Sequence, residues 1–185
     1  MLLQLDIQLL DCSEPAIWRK LLVPSHFTFH KLHRVIQIAF GWNNSHLYEF
    51  VEQPVNSELI ITLPEYSADR DMLHSKTVRL AQYLSAAGDV LYYIYDYGDD
   101  WKHCIRVEEV FKDDPVVANI IGGEGKTPPE DIGGPHGFIA FKKAVNDPAH
   151  EEYYEYREWL KLKDLEVWNR YEFNLPEVQH RLIRI

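Results

Sequence analysis

The segment from Tyr93 to Val107 decides the fold of this chain, and it reads YIYDYGDDWKHCIRV. Aromatic and β-branched residues flank a short polar centre, which is typical of an antiparallel hairpin. Glycine followed by aspartate suits a two-residue type II′ turn, in which the glycine takes a positive φ. We therefore predict strands over 90–97 and 101–111, joined by a turn at Gly98-Asp99.

This turn fixes which side chains share a face of the hairpin. With Gly98-Asp99 at the centre, Asp96 lies opposite Trp101 and becomes a diagonal neighbour of His103. A carboxylate beside a histidine orients the imidazole and raises its pKa. Asp96 and His103 can therefore act as a general base or a metal ligand with its partner, or as a buried ion pair that fixes the turn, and both interpretations stay open.

The chain before the hairpin predicts a strand pair followed by a helix. Residues 2–10 alternate between apolar and polar side chains, and 17–23 resume an extended pattern after a Ser-Glu-Pro break. Apolar residues then recur at helical spacing between Thr28, a good N-cap, and Gly41, a good C-terminal cap, which predicts a helix over 29–40.

Shorter elements and loops fill the rest of the chain. The further predictions are strands over 47–51 and 59–63, a polar loop over 64–79, a short helix over 80–87, a Gly/Pro-rich loop over 112–136, and helices over 137–146, 149–162 and 175–183. This order predicts an α+β fold with a mixed, mostly antiparallel sheet, a packed helix and C-terminal helices. A β-grasp-like core is one arrangement that fits the order.

The chain length of 185 residues predicts a single domain over 1–185. Within it, we expect a sheet-plus-helix core over 1–111, the Gly/Pro-rich loop over 112–136, and a helical part over 137–185.

Composition narrows the class of partner. The formal net charge of −10 disfavours nucleic acid, because binding to phosphates requires clustered Lys and Arg. No apolar run approaches the roughly 20 residues of a membrane span, and no basic segment precedes the apolar N-terminus as in a signal peptide. Cys12 and Cys104 form neither a disulfide framework nor a C-x-x-C motif, which predicts a cytoplasmic protein with reduced thiols.

Several other polar residues qualify as ligands. Asp99 and Asp100 can bind a hard cation together with Asp96, although their spacing is not that of an EF-hand loop. His30 and His33 share one helix face, and with His46 they can collect a transition metal. Neither spacing identifies a particular metal or cofactor.

The segment 128–137 concentrates two carboxylates and a histidine among turn-forming residues, so it can cover the hairpin tip. The preceding Gly122-Gly123-Glu124-Gly125 is not a P-loop, because the first glycine of that motif would fall on Ile120 and Pro128-Pro129 follow. We predict a polar binding pocket at the tip. Its candidate residues are Asp96, Asp99, Trp101, His103, His33, His46, Glu130 and Asp131.

Five motifs occur in a specific order along the chain. They are P-x-I-W-R (Pro15–Arg19), L-H-x-V-I-Q (Leu32–Gln37), G-W followed by H-L (Gly41-Trp42 and His46-Leu47), Y-D-Y-G-D-x-W-x-H (Tyr95–His103) and P-P-E-D-I-G-G-x-x-G (Pro128–Gly137). On these motifs the chain resembles the plasmid pRiA4b ORF-3-like family, from about residue 2 to residue 160. The resemblance implies a link to mobile elements but no defined activity, although some members carry a transposon-resolvase label.

The residues do not fit a resolvase. A serine recombinase needs a nucleophilic serine among several arginines, and Ser13, Ser25 and Ser45 have no such cluster. The sequence favours a binding or accessory protein with a polar site at the 95–103 tip, for a small molecule or a protein. The alternative is a metal-dependent or hydrolase-like enzyme that uses Asp96 and His103.

Overall fold

A computed structural model describes residues 1–63, 72–113 and 115–185. These residues form one eight-stranded sheet and four α-helices. The strands are β1 (Leu2–Leu9), β2 (Ile17–Pro24), β3 (Tyr48–Val51), β4 (Ile60–Thr62), β5 (Leu73–His74), β6 (Val90–Tyr95), β7 (Trp101–Phe111) and β8 (Asn119–Glu124). The helices are α1 (Phe29–Phe40), α2 (Gly134–Ala144), α3 (Tyr153–Trp159) and α4 (Leu175–Leu182).

The sheet has the strand order β5-β4-β3-β6-β7-β1-β2-β8. Neighbouring strands are antiparallel except for the parallel pair of β4 and β5. The predicted α+β class with a mostly antiparallel sheet is therefore confirmed. The β-grasp-like arrangement stays a prediction, since element order alone supports it. No helix in the described part of the chain is long and apolar enough to span a membrane.

Alternation in β1 places one face of the sheet in the core. Leu3, Leu5, Ile7 and Leu9 are fully buried, as the period of two predicts. The first helix is also confirmed, with both of its caps. The Thr28 side chain accepts a hydrogen bond from the backbone N–H of Lys31 (3.2 Å), and Gly41 ends the helix in the left-handed conformation, with φ 78°.

Two predictions in the middle of the chain are wrong. The strand β8 lies within the predicted loop over 112–136 and pairs with β2. Its two glycines and two polar residues obscure the strand pattern in the sequence. The predicted helix over 80–87 is only a 3-10 turn, Leu80–Gln82, because the Asp89 carboxylate accepts the N–H groups of Ser85 and Ala86.

The remaining predicted elements differ mainly in length. The helix predicted over 149–162 is shorter in the structure, where α3 spans Tyr153–Trp159 and has no buried residue. The helix α2 begins three residues earlier than predicted. The predicted loop over 64–79 lies partly outside the described residues, and β5 lies in its described part.

Candidate functional site

The hairpin of β6 and β7 forms as predicted, but its register differs by one residue. Tyr95 pairs with Trp101, so five residues, 96–100, connect the two strands. The φ of Gly98 is not positive, whereas a type II′ turn requires a positive φ at that position. The predicted two-residue turn at Gly98-Asp99 is therefore wrong.

The side chain of Asp96 explains the longer turn. Asp96 has a left-handed backbone with φ 59°, which aspartate tolerates better than most residues. Its Oδ1 accepts hydrogen bonds from the N–H groups of Gly98 (2.9 Å) and Asp99 (3.4 Å). The N–H of Asp100 donates to the carbonyl oxygen of Asp96 at 2.6 Å. Asp96 thus organises the turn from its first residue.

The shift in register brings the buried Tyr93 opposite His103 and leaves Asp96 in the turn, since a slip of one residue changes which side chains of the two strands share a face. The Nδ1–H of His103 faces the carbonyl oxygens of Tyr93 (3.3 Å) and Trp101 (3.2 Å), and the ring packs edge-on against Phe40. Burial lowers the pKa of His103 to about 4. The predicted Asp96–His103 pair and its raised His103 pKa are therefore wrong, and the enzymatic alternative loses its geometric basis.

His46 faces a cluster of carboxylates at the tip instead. Its Nε2 lies 3.2 Å from Asp131 Oδ1, 3.6 Å from Asp96 Oδ2 and 3.8 Å from Glu130 Oε2. The His46 side chain is 27 % exposed. Its Nε2 is nevertheless shielded from solvent and has no hydrogen-bond partner among the described residues. Three chain segments thus bring one imidazole nitrogen and three carboxylates to one place.

In Asp96 and Glu130, one carboxylate oxygen accepts hydrogen bonds from the protein and the second oxygen faces His46. The backbone of the turn binds Oδ1 of Asp96, which leaves Oδ2 facing the imidazole. Oε1 of Glu130 accepts the N–H of Asn43 (2.5 Å) and the hydroxyl of Tyr95 (3.0 Å), which leaves Oε2 facing the imidazole. Groups held in this way are preorganised to bind a cation.

The segment 128–137 lies against the hairpin tip, as expected. The N–H of Gly133 donates to Asp99 Oδ2 at 3.2 Å. A Cβ atom at Gly134 would lie only 2.5 Å from the carbonyl oxygen of Asp99, and φ is 66° there. Glycine at Gly134 therefore permits the close approach that brings Glu130 and Asp131 to the tip.

His33 supports the loop that carries His46, and it does not contact the carboxylates. Its Nε2 lies 2.5 Å from Asn44 Oδ1, and the Tyr93 hydroxyl donates to its Nδ1 at 2.8 Å. Gln37 Oε1 accepts the N–H of Asn44 at 2.8 Å. Burial lowers the pKa of His33 to about 4, against the opposing effect of its hydrogen bond to Asn44. The neutral ring thus fixes the loop two residues before His46.

The other predicted ligand sets do not assemble. His30, His33 and His46 line one small pocket, but among the described residues they do not form a group that could hold a metal ion, and His30 Nδ1 lies 2.9 Å from the Tyr48 hydroxyl. The Asp100 carboxylate pairs with Lys102, and Asp99 binds the backbone of the covering segment. Trp101 is 1 % exposed and packs against Trp42 with ring centroids 5.6 Å apart. Trp101 and His103 therefore lie behind the candidate site.

Together, the fold and the tip define an α+β protein with an eight-stranded sheet and a histidine–carboxylate cluster at one hairpin. The model of the family described as plasmid pRiA4b ORF-3-like protein matches residues 1–177, and the chain belongs to this family. The plasmid in the family name is a loose link to mobile elements.

Two further proteins are similar to this chain. The chain is 37 % identical over 160 residues to "Uncharacterized protein y4hQ" of Sinorhizobium fredii (strain NBRC 101917 / NGR234), which covers 84 % of this chain and 79 % of the relative. This chain is also similar to the crystal structure of the protein of unknown function MM3350 from Methanosarcina mazei Go1. That match has a TM-score of 0.78 and 26 % identity, and it covers 95 % of each chain.

Proposed function

We propose that this protein is a binding protein whose hairpin tip holds a divalent transition-metal ion. The ligands are His46, Asp96 and Asp131, with Glu130 as a fourth. The observation that carries this proposal is the position of His46 Nε2, which lies 3.2–3.8 Å from one oxygen of each carboxylate and has no hydrogen-bond partner among the described residues.

The spacing of these atoms suits a shared ion. Ligand atoms about 2.0–2.2 Å from a metal lie roughly 3–4.4 Å apart, depending on the angle between the bonds. The three distances from His46 Nε2 fall within this window, and the donor atoms of His46, Asp96 and Asp131 all lie within 4.8 Å of one another. Only small movements of these side chains are needed for their donor atoms to coordinate one ion.

Charge and donor type favour a transition metal. Three neighbouring carboxylates repel one another, and a dication between them offsets that repulsion. Calcium and magnesium prefer oxygen ligands alone, whereas an imidazole nitrogen suits zinc, iron and related ions. The mixed donor set of one nitrogen and several carboxylate oxygens therefore supports Mn²⁺, Fe²⁺ or Zn²⁺.

The test is a titration of metal-stripped protein with Mn²⁺, in which electron paramagnetic resonance measures the free ion. We expect one site per chain. His46→Ala and Asp96→Asn should each weaken binding by about 100-fold, the upper end of the loss seen when groups that support a metal are removed. Asp96→Asn keeps an oxygen for the turn N–H groups, so it separates binding from folding.

His150→Ala is the matched control. The His150 side chain is 30 % exposed, close to the value for His46, but it faces one carboxylate, Glu152, at 4.0 Å. This variant should bind Mn²⁺ like the wild type. If neither Mn²⁺ nor Zn²⁺ binds the wild type, or if His46→Ala binds as tightly as the wild type, the proposal is wrong.

A further inference from the structure

Arg19, at the end of the P-x-I-W-R motif, carries a charge that is buried in the protein. It is 2 % exposed, and no carboxylate pairs with it among the described residues. Burial lowers its pKa to about 9, so the guanidinium remains charged at neutral pH. A buried charge costs free energy unless hydrogen bonds compensate it. The acceptors here are the carbonyls of Ala39, Trp18, Glu124 and Gly125 and the hydroxyl of Thr127.

The guanidinium of Arg19 joins two separate segments of the chain. Its Nε donates to the carbonyl oxygen of Ala39 at 2.8 Å, in the last turn of α1. Its Nη2 donates to the carbonyl oxygen of Gly125 at 2.9 Å and to the hydroxyl of Thr127 at 3.1 Å. Because a guanidinium is planar and rigid, it holds these acceptors at fixed positions relative to one another.

Aromatic rings confine the guanidinium. Cζ of Arg19 lies 5.0 Å from the centre of the Phe40 ring and 4.2 Å from the centre of the Phe173 ring. These cation–π contacts are attractive. A Cβ atom at Gly123 would lie 3.0 Å from Arg19 Cδ and 2.7 Å from the Phe173 ring, so the glycine leaves the space that the two side chains occupy. The packing therefore fixes the place from which Arg19 donates.

The first of the two joined segments leads to His46. The carbonyls of the last turn of a helix lack partners within the helix, and the helix dipole favours a cation beside them. The loop that follows α1 contains Asn43, which donates its N–H to Glu130, and His46, which faces the carboxylates. By binding the end of α1, Arg19 fixes the start of this loop.

The second joined segment leads to Glu130 and Asp131. Thr127 is followed by Pro128-Pro129, and a proline ring fixes its own φ and restricts the residue before it. The position of Thr127 is therefore transmitted to Glu130 with little conformational freedom. The other end of the segment 128–137 is bound to the hairpin tip, so both of its ends are anchored.

We propose that Arg19 is a positioning residue of the metal site. Through Ala39 and Thr127, it sets the separation between the loop that carries His46 and the segment that carries Glu130 and Asp131. It acts on metal affinity through geometry, because its donors bind the protein and not the ion. This inference rests on the proposed metal site and adds the residue that keeps the two halves of that site at ligating distance.

Thr127→Val tests the link most directly, because it removes one acceptor and leaves Arg19 its four carbonyl partners. We expect Mn²⁺ affinity, measured by electron paramagnetic resonance, to fall about threefold, the effect of one lost hydrogen bond. Thr127→Ser keeps the hydroxyl and should bind Mn²⁺ like the wild type. Arg19→Lys keeps the charge but not the planar set of donors, so it should lower the affinity by about tenfold.

Val107→Ala is the control for a general loss of stability. Val107 is 1 % exposed and lies in β7, six residues beyond Trp101 and therefore roughly 20 Å from the hairpin tip. This variant should unfold at a lower urea concentration than the wild type but should bind Mn²⁺ equally well. Circular dichroism of the same samples shows that each variant is folded where its Mn²⁺ affinity is measured.

The outcomes separate positioning from simple stabilisation. If Thr127→Val binds Mn²⁺ like the wild type, or if Thr127→Ser loses as much affinity as Thr127→Val, the link through the hydroxyl is wrong and the metal site stands. If Val107→Ala loses as much affinity as Arg19→Lys, affinity follows stability and the inference is wrong. Should Arg19→Lys not fold, the two Thr127 variants decide. If the wild type does not bind Mn²⁺, the metal site fails first and this inference fails with it.

Discussion

The two ends of the motif from Tyr95 to His103 lie in opposite environments. At the tip, Asp96 directs a carboxylate oxygen at His46, whose Nε2 faces three carboxylates. Behind the tip, His103 is fully buried and packs against the rings of Phe40 and Tyr93. A histidine is thus a candidate ligand beside the tip, at His46, and part of the core behind it, at His103. A motif that looks uniform in sequence combines a site with the packing that supports it.

The largest effect that this contrast predicts is on stability, at the core end. Trp101→Ala should lower the free energy of unfolding by about 3–5 kcal/mol, the usual range for deletion of a fully buried aromatic side chain. Urea unfolding followed by circular dichroism measures it. The matched variant at the tip is Tyr97→Ala, since Tyr97 is 49 % exposed, and its effect should be below about 1 kcal/mol. Equal effects of the two variants would abolish the distinction between core and tip.

The next effect is a pH dependence of stability that arises in the core. Burial lowers the pKa of both His33 and His103 to about 4, so these side chains take up protons more readily when the chain is unfolded. Their contribution to stability is therefore present above the unfolded pKa near 6.5 and is lost as the pH falls towards 4. Between pH 7 and pH 5, we expect each histidine to reduce the free energy of unfolding by roughly 2 kcal/mol.

Unfolding curves of the wild type and of His103→Gln at pH 7 and pH 5 test whether stability falls on acidification. The variant should be less stable at pH 7 but should lose less stability on acidification, because glutamine does not titrate. His150→Ala should retain the full pH dependence of the wild type. A wild type that is equally stable at both pH values would show that the buried histidines do not govern the acid response.

Much of the scaffold could be predicted from the sequence, because local patterns specify it. The alternation in β1 and the caps of α1, Thr28 and Gly41, each depend on residues within a few positions of one another. The strand β8 could not be predicted, since Gly122 and Gly123 carry no strand pattern and pairing with β2 supplies its structure. Propensity is a weak guide where tertiary contacts decide the conformation.

The sequence identifies the residues of the candidate site, but it does not predict which of them lie next to one another. Asp96, His46, Glu130 and Asp131 were all candidates, yet the sequence paired Asp96 with His103. The reason is the turn, because a loop of two residues and one of five differ in which face each side chain takes. The hydrogen bonds that hold Glu130, from Asn43 and Tyr95, join positions far apart in the chain, and no local pattern marks them.

The smallest predicted effect concerns Tyr95, which joins the two regions. Its ring is fully buried, while its hydroxyl donates to Glu130 Oε1 (3.0 Å) and accepts the N–H of Ser45 (3.0 Å). Burial raises the pKa of Tyr95, so the hydroxyl stays protonated and donates. Tyr95→Phe should therefore reduce Mn²⁺ affinity by about tenfold, the lower end of the loss for a group that orients a ligand.

The same variant should lower the free energy of unfolding by only about 1–2 kcal/mol, because the ring remains and one hydrogen-bonding hydroxyl is lost. Electron paramagnetic resonance and urea unfolding measure the two effects on one sample. Tyr97→Phe is the control, since its hydroxyl donates to Glu49 (3.3 Å) outside the cluster, and Mn²⁺ affinity should not change. If Tyr95→Phe destabilises the fold but binds Mn²⁺ as tightly as the wild type, Glu130 does not depend on the core for its position, and the two ends of the hairpin act independently.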